Sequence, residues 1–154
     1  MEQLIIRRAA PRDCAALGAM RHALWPDSSA QEHAVELAPF LEGEPRGTLP
    51  SAIFLAQQSN GSILGFIDVG LRSHADGCDP AQPVGFVEGW YVLPDYRRKK
   101  VGARLLAQAE QWAREHGCRE MASDTWIDNL ESQRVHDALG FQVVDRCVNY
   151  RKVL

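Results

Sequence analysis

The spacing of apolar residues predicts strands in the first part of the chain. Apolar runs bounded by turn residues are typical of strands, and such runs cover 4–9, 51–57, 63–72 and 84–92. Between the second and third runs, the dipeptide Asn60-Gly61 predicts a hairpin. Pro94 ends the last run, because proline cannot donate to a strand ladder.

Apolar residues at helical spacing predict four helices. They span about 11–25, opened by Pro11, about 30–41, about 101–116, closed by Gly117, and 131–139, closed by Gly140. The residues expected to face the core are Leu17, Met20 and Leu24 in the first helix, Ala34, Val35, Ala38 and Leu41 in the second, and Val101, Leu105, Leu106, Ala109, Trp112 and Ala113 in the third.

Three further strands are predicted at 119–125, 141–145 and 147–153. The resulting order, with helices between and after strands, predicts the α/β (α+β) class, with a mixed central sheet and helices on both faces. The length of 154 residues fits one domain over 1–154.

Charge and composition exclude several classes of protein. The net charge of -3 disfavours a nucleic-acid binder, which needs a broad basic face. No apolar run approaches the roughly 20 residues of a membrane span, and the first residues do not resemble a signal peptide, so we expect a cytoplasmic protein without a membrane partner. The four cysteines are scattered and lack zinc spacing, so no metal is expected.

A basic turn stands out between the 84–92 strand and the helix that follows it. Its cations are Arg97, Arg98, Lys99, Lys100 and Arg104. The start of a helix offers free N–H groups and partial positive charge, and it binds phosphate. Several cations at such a position predict a polyphosphate ligand. The Walker and GxGxxG patterns are absent, which disfavours an ATPase or a dinucleotide enzyme.

The turn RRKKVG (97–102) resembles the coenzyme A motif of the GNAT acetyltransferase superfamily, and NLESQRVHDALGF (129–141) resembles its second conserved element. The resemblance implies the GNAT acyl-CoA N-acyltransferase fold and acetyl-CoA as the acetyl donor. Two residues depart from the superfamily pattern. Lys100 stands where glycine is usual, and His136 stands where many members have a tyrosine acid.

The resemblance also implies which residues hold the donor. The pyrophosphate would lie on the N–H groups of 97–102, the pantetheine would bond to the backbone at the end of the 84–92 strand, and Asn129 would contact the pantetheine arm. The implied donor-binding residues are Tyr91, Val92, Leu93, Arg97, Arg98, Lys99, Lys100, Val101, Gly102, Ala103, Arg104, Asn129, Ser132 and His136.

A closer resemblance runs through the whole chain. LWP (24–26), GCD (77–79), VEGWYVLP (87–94), GCREMASDT (117–125), SQRVHDALGF (132–141) and YRK (150–152) together are similar to the aminoglycoside 6′-N-acetyltransferases. This resemblance implies direct transfer of acetyl to the 6′-amino group of an aminoglycoside in a ternary complex, antibiotic resistance as the outcome, and a homodimer.

An aminoglycoside is a small polycation, so its site should carry carboxylates for charge-assisted hydrogen bonds. The candidates are Glu88, Asp124 and Asp145, and an acidic segment at 27–45 adds to them. By resemblance, Trp25 would form a wall of the site and His74 would lie in it. Without the family, Trp25 is equally well interpreted as a core residue and Asp124 as a helix cap or turn residue.

The catalytic hypothesis assigns an acid and a base. Glu88 is the first candidate base and Asp124 the second, because the acceptor amine must lose its proton to attack. Backbone N–H groups near Val92 would stabilise the oxyanion. Tyr150, from YRK, is the candidate acid for the thiolate, although it is also interpretable as a plain strand residue.

Two alternatives stay open on sequence alone. One is an acetyltransferase for a protein, peptide or polyamine amine. The other is a non-catalytic CoA-binding regulatory module, which the presence of all three acceptor carboxylates argues against.

Overall fold

The computed structural model describes residues 3–154, which fold into five strands and four α-helices. The strands are β1 (Leu4–Arg8), β2 (Ser51–Gln58), β3 (Ile63–Arg72), β4 (Val84–Val92) and β5 (Met121–Ser123), and the helices are α1 (Cys14–Leu24), α2 (Ala30–Leu41), α3 (Val101–Glu115) and α4 (Leu130–Ala138). The predicted helices and the first four strands are confirmed to within a few residues. β5 is shorter than its predicted span of 119–125.

The strands form one mixed sheet in the order β1-β2-β3-β4-β5. Within β1 to β4, neighbouring strands are antiparallel, whereas β5 runs parallel to β4. α3 packs on one face of the sheet, and α1 and α2 cover the other. The predicted fold class is confirmed, including helices on both faces.

Short polar motifs set where the elements begin and end. Ser29 and Glu32 form a capping box at the start of α2, in which each side chain bonds to the backbone of the other residue at 3.0 and 3.2 Å. In the β2–β3 hairpin, the Asn60 carboxamide accepts a bond from the backbone of Ser62 at 2.9 Å. These local contacts explain why the sequence pattern located both elements closely.

The core confirms the predicted faces of α1 and α3 but only part of that of α2, in which Leu41 packs against the core. All six apolar residues assigned to the inner face of α3 are buried. In α2 the buried residues are His33 and Leu37, while Val35 is 63% exposed. The expectation that Val35 faces the core is therefore wrong. The buried stripe of α2 is the one that packs against α1 and the core on the sheet. An apolar residue such as Val35 stays exposed because it lies outside that stripe.

The expected strands at 141–145 and 147–153 do not form in the single chain. Residues 141–154 have no regular secondary structure, and all but Phe141 are exposed. A strand needs a neighbouring edge with which to exchange hydrogen bonds, and period-two apolar spacing alone does not provide one. No helix within the described residues is long and apolar enough to cross a membrane.

An ion pair joins β1 to the start of α1. Arg7 donates to both carboxylate oxygens of Asp13 at 2.7 and 2.8 Å, and the backbone N–H of Ala10 donates to the same carboxylate at 2.7 Å. Asp13 is buried. The hydrogen bond from Arg7 is the main reason that the pKa of Asp13 lies below its usual range.

Replacing Asp13 with asparagine should lower the free energy of unfolding by about 2–3 kcal/mol at pH 7, because the Arg7 guanidinium loses its charged partner. A lowered pKa stabilises the fold above the unfolded value of about 3.9 and ceases to do so as the pH falls through the folded value. The difference between wild type and variant should therefore shrink below about pH 4. Urea unfolding at pH 7 and pH 3 measures it. Asp137→Asn, at an exposed position of α4, is the control.

Candidate functional site

β4 and β5 separate partway along β4. They pair only over Gly85–Val87 and Met121–Ser123, while β4 continues to Val92. From 88 to 92, this edge of β4 has no strand beside it among the described residues. Backbone groups along such a gap need hydrogen-bond partners, so the gap is suited to an extended ligand. The residues predicted to hold the pantetheine, 91–93, lie at its end.

The basic turn follows the gap. After a 3-10 turn at Pro94–Tyr96, α3 starts at Val101, and its N-cap residue, Lys100, makes no side-chain cap bond. The first helical hydrogen bond of α3 runs from the Arg104 N–H to the Lys100 backbone oxygen, at 3.0 Å. The N–H groups of 101–103 therefore have no helical acceptor. Residues 97–100 are all exposed, so the turn can receive several phosphate oxygens.

Arg97 has a contact that sequence reasoning missed. Its Nε donates to the backbone carbonyl of Val92 at 2.9 Å, and one guanidinium nitrogen lies 4.0 Å from the Glu131 carboxylate on α4. Arg97 therefore braces the end of β4 against the following turn. A phosphate contact through its remaining N–H groups stays a prediction.

Lys100, which stands at the usual glycine position of the motif, adopts the left-handed conformation, with φ 65° and ψ 8°. Arg98 also has positive φ, at 60°. A side chain costs about 1 kcal/mol in this region relative to glycine. The turn thus keeps the backbone shape for which glycine is suited, and adds a cation at the start of α3.

Replacing Lys100 with glycine should raise the free energy of unfolding by about 1 kcal/mol, because the backbone strain is removed. The same change should weaken coenzyme A binding several-fold, since a charge-assisted contact is lost. Denaturant unfolding and calorimetric titration with coenzyme A measure the two effects. Lys99→Gly is the matched control: it removes the same charge at a residue without positive φ, so it should weaken binding and also lower stability. Equal stability changes in both variants would contradict the strain argument.

The start of α4 lies beyond the gap. The Asn129 side chain is its N-cap, accepting a bond from the backbone of Ser132 at 3.1 Å. This use of the carboxamide oxygen was not predicted, and it leaves the amide N–H₂ available. The predicted contact of Asn129 with the donor stays a prediction.

His136 ties α4 to β5. Its Nδ1 lies 2.7 Å from the backbone oxygen of Ser132, and its Nε2 lies 2.8 Å from Ser123 Oγ. Its ring packs edge-on against Trp90 and Phe141. Both nitrogens therefore have partners within the chain, and the geometry supports a positioning role at the side of the gap. The donor contacts predicted for His136 and Ser132 stay predictions.

A cavity of about 470 Å³ lies at the α1–α2 side of β4. This volume is typical of small-molecule sites. It is lined by Arg21, Trp25, His33, Arg46, Gly47, Leu49, Pro50, Ser51, Asp68, Gly70, Leu71 and Glu88. Two of the predicted acceptor residues, Trp25 and Glu88, are therefore in it, together.

Trp25 lies close against β4 at Gly89. A Cβ at position 89 would lie 2.5 Å from the Trp25 ring. Only a residue without a side chain allows this approach. Trp25 is half-buried and belongs to the apolar cluster under α1 and α2 while lining the cavity. Both interpretations of Trp25 offered by the sequence thus describe part of its environment.

Glu88 is the extra residue of a β-bulge. Asp68 pairs with Gly89 and Val69 with Val87, which leaves Glu88 without a partner on β3. Glu88 is exposed, and Arg72 donates to both of its carboxylate oxygens at 3.0 and 2.9 Å. The carboxylate is therefore fixed in orientation at the point where β4 and β5 separate.

Asp124 lies next to this point. It directly follows Ser123, the β5 residue that pairs with Val87, so Asp124 and Glu88 leave neighbouring strands together. Asp124 is exposed. The structure thus brings the two candidate bases to one end of the β4–β5 pair.

Four predicted residues do not line the cavity of the single chain: Asp124, His74, Asp145 and Tyr150. His74, Asp145 and Tyr150 are exposed, and Tyr150 is 92% accessible. His74 bonds to Ser73 in the loop before β4. Asp145 and Tyr150 lie in the irregular segment 141–154. Their roles stay predictions.

Sequence reasoning missed the charged floor of the cavity. Asp68 is 3% exposed and lies between two guanidinium groups, those of Arg46 and Arg21. A signal existed: Asp68 is the one charged residue inside the apolar run 63–71, and a buried carboxylate requires a cationic partner.

In the part of the chain that the structure covers, no group of three metal-ligating side chains is placed to hold an ion, and all four cysteines are free.

Known proteins share both the sequence and the architecture. Residues 17–141 match the acetyltransferase (GNAT) family. An aminoglycoside N(6′)-acetyltransferase type 1 of Klebsiella aerogenes is 41% identical over 150 residues, which is 97% of each chain. The structure of AAC(6′)-Iy with the bisubstrate analogue CoA-S-monomethyl-acetylneamine superposes with a TM-score of 0.84 at 35% identity, covering 99% of both chains. The aminoglycoside N-acetyltransferase AAC(6′)-Iy in complex with CoA superposes with a TM-score of 0.86 at 36% identity, covering 99% of this chain and 96% of that one. The chain therefore belongs to the GNAT family of acetyltransferases.

Proposed function

We propose that this protein transfers acetyl from acetyl-CoA to the 6′-amino group of aminoglycosides. One observation carries the proposal: the cavity that contains Trp25 and Glu88 meets the open edge of β4, which leads directly to the phosphate-binding turn. A donor in the gap beside β4 and an acceptor in the cavity can thus react at Glu88. The relatives named for this reaction, and the solved complexes with CoA and with a bisubstrate analogue, support it.

The donor would lie along the gap beside β4. The N–H groups of 101–103 and the side chains of Arg98, Lys99 and Lys100 would hold the pyrophosphate. Backbone groups of 91–93 would hold the pantetheine, although Val92 O is already bonded to Arg97. A free N–H near Val92 would stabilise the oxyanion of the thioester.

The acceptor would react by direct attack in a ternary complex. Glu88 is the proposed base and Asp124 the second candidate; either would remove the proton of the attacking amine, directly or through water. Arg72 fixes the Glu88 carboxylate, which orients it toward the amine. Tyr150 is the proposed acid for the departing thiolate, and His74 and Asp145 would bind the acceptor; these three need the loop before β4 and the C-terminal segment to close on the cavity.

Acetylation removes one positive charge from a polycationic drug, so antibiotic resistance is the proposed outcome. The proposal also includes a cytoplasmic location, since cells make the acetyl donor there. The formal net charge of -3 favours a cationic acceptor over a nucleic acid.

A homodimer is part of the proposal. The exposed apolar residues of the C-terminal segment are Val143, Val144, Val148, Val153 and Leu154. Such a segment, with strand-like spacing and no neighbouring strand, fits an edge on a second copy. Sedimentation should give a dimer, and deletion of 143–154 should give a monomer with reduced activity. A monomeric full-length chain would contradict this part of the proposal.

Release of free thiol from acetyl-CoA tests the acceptor. The purified protein is assayed with kanamycin, tobramycin, a lysine peptide and spermidine. Fast release with the aminoglycosides alone, and acetylation at the 6′-nitrogen by NMR, is the expected result. Release only with the peptide or spermidine would overturn the acceptor but keep the donor site. Tight CoA binding without release would favour a regulatory module.

A further inference from the structure

Asp68 is the most buried carboxylate of the cavity, and two cations share it. Arg46 donates to its two oxygens at 2.8 and 2.7 Å. Arg21 approaches one of the same oxygens at 3.6 Å. One of the two guanidinium groups would be enough to balance the charge of Asp68.

The two arginines are held in different ways. Arg21 belongs to α1, and its side chain is well buried, with its Nε bonded to His33 at 3.3 Å and its guanidinium 5.0 Å from the Trp25 ring centroid. Arg46 comes from the segment 42–50, which has no helix or strand and is exposed throughout. Arg46 can therefore leave Asp68 without disrupting any element.

Two further contacts of Arg46 would be lost if it left. Its guanidinium lies 4.0 Å from the ring centroid of Phe40 and bonds to Ser51 Oγ at 3.0 Å. Ser51 lines the cavity, so water can replace its hydrogen bond, and the net free energy of such contacts in an exposed segment is small.

Charge favours the departure of Arg46 when a polycation enters. The charged residues that line the cavity are Arg21, Arg46, Asp68 and Glu88, so their formal charges cancel. Two partners beside the lining, Arg72 at Glu88 and Glu36 at 3.7 Å from Arg21, have opposite charges and leave this balance unchanged. A cavity in this state has no net attraction for a cation, whereas without Arg46 its lining carries one net negative charge.

We propose that Asp68 is a binding site for a second ammonium group of the acceptor, and that Arg46 occupies this site until the acceptor displaces it. The inference rests on the proposed function. Asp68 lies opposite Gly89, one residue from Glu88, so an acceptor with neighbouring amines can present one to each carboxylate. The ammonium donates to the oxygens that Arg46 vacates, and Arg21 stays as the second partner of Asp68.

Arg46→Met is the primary test. It should lower the KM for tobramycin about fivefold, because the competing cation is gone, with a smaller change in kcat and in the KM for acetyl-CoA. Asp68→Asn should raise the KM for tobramycin about tenfold. The double variant should resemble Asp68→Asn, since Arg46 acts only through that carboxylate.

Arg119→Met is the matched control, because it removes the same charge at an exposed residue that does not line the cavity. A fall in KM of equal size in this control, or in the Asp68→Asn background, would assign the effect to long-range charge and overturn the inference. An unchanged or raised KM in Arg46→Met would also overturn it. Should Asp68→Asn fail to fold, Arg46→Lys replaces it: this variant keeps the cation and should keep the wild-type KM.

The failure of the proposed function gives a different result. A wild-type protein that acetylates no aminoglycoside would contradict that function. Calorimetric binding of tobramycin to wild type, Arg46→Met and Arg119→Met then decides the inference separately. Tighter binding by Arg46→Met alone supports it, and equal binding by all three contradicts it.

Discussion

Replacing Glu88 with glutamine should lower kcat with an aminoglycoside about 10²–10⁴-fold, the usual contribution of a general base. Glutamine fits the bulge and can still accept a hydrogen bond from Arg72, but it cannot take the proton of an attacking amine. Coenzyme A binding should stay near the wild-type value, because Glu88 lies outside the basic turn proposed to hold the pyrophosphate. Steady-state thiol release and calorimetric titration with coenzyme A measure the two quantities.

Two companion variants separate the base from its surroundings. Arg72→Met keeps the carboxylate but frees it to rotate, so a smaller loss of kcat is expected. Glu110→Gln, on α3, removes the same charge away from the cavity and should have no effect. Full kcat and KM for Glu88→Gln at every pH would show that Glu88 is not the base and would leave Asp124 as the candidate.

Replacing Gly89 with alanine should lower kcat/KM for the acceptor about 10–100-fold and the free energy of unfolding by about 1–3 kcal/mol. The added Cβ would lie 2.5 Å from the Trp25 ring, so Trp25 must move away from β4 and the wall of the cavity moves with it. Acceptor kinetics and denaturant unfolding measure the two effects. Tryptophan fluorescence reports the movement of Trp25, with Trp25→Phe as the reference that lacks its signal.

Gly70→Ala is the matched control. It also adds a methyl group to a cavity-lining strand glycine, but there the nearest atom would be 3.6 Å from the new Cβ, which is an ordinary contact. It should leave stability and kinetics close to wild type. Similar losses in both variants would indicate that any added methyl group in these strands is harmful and that the position of Trp25 is not the cause.

Local patterns account for most of the fold that the sequence predicted. The six inward residues of α3 recur at helical spacing, and the β2–β3 turn carries Asn60-Gly61 between apolar runs. α2 has its own capping residues. In each case the information lies within a few neighbouring residues, so the sequence alone is sufficient.

The proposed donor half of the site rests on the same kind of local information. The basic turn and the start of α3 are contiguous in the chain, and their chemistry is the chemistry of a helix N-terminus. The conformation of Lys100 was a different matter. Whether it has positive φ depends on how the turn leaves β4, and only the structure shows that it does.

The acceptor half depended on contacts between distant residues. The resemblance of short motifs pointed to Trp25 and Glu88 as candidates, but not to the residues that position them. Gly89 does so through its close approach to Trp25, and Arg72 through its ion pair with Glu88. Contacts of this kind join segments that are far apart in sequence. The spacing of apolar residues within a segment does not indicate which side chains of distant segments meet.

The sequence by itself determined the four helices and the first four strands, the buried stripe of α3 and the family. The tertiary structure decided which charges face one another. It placed Asp68 between Arg21 and Arg46, left Glu88 unpaired at a bulge and left 141–154 without a strand partner. The physical reason is that periodicity and capping are local, whereas ion pairing and strand pairing are set by the register of strands and the packing of helices that the whole chain determines.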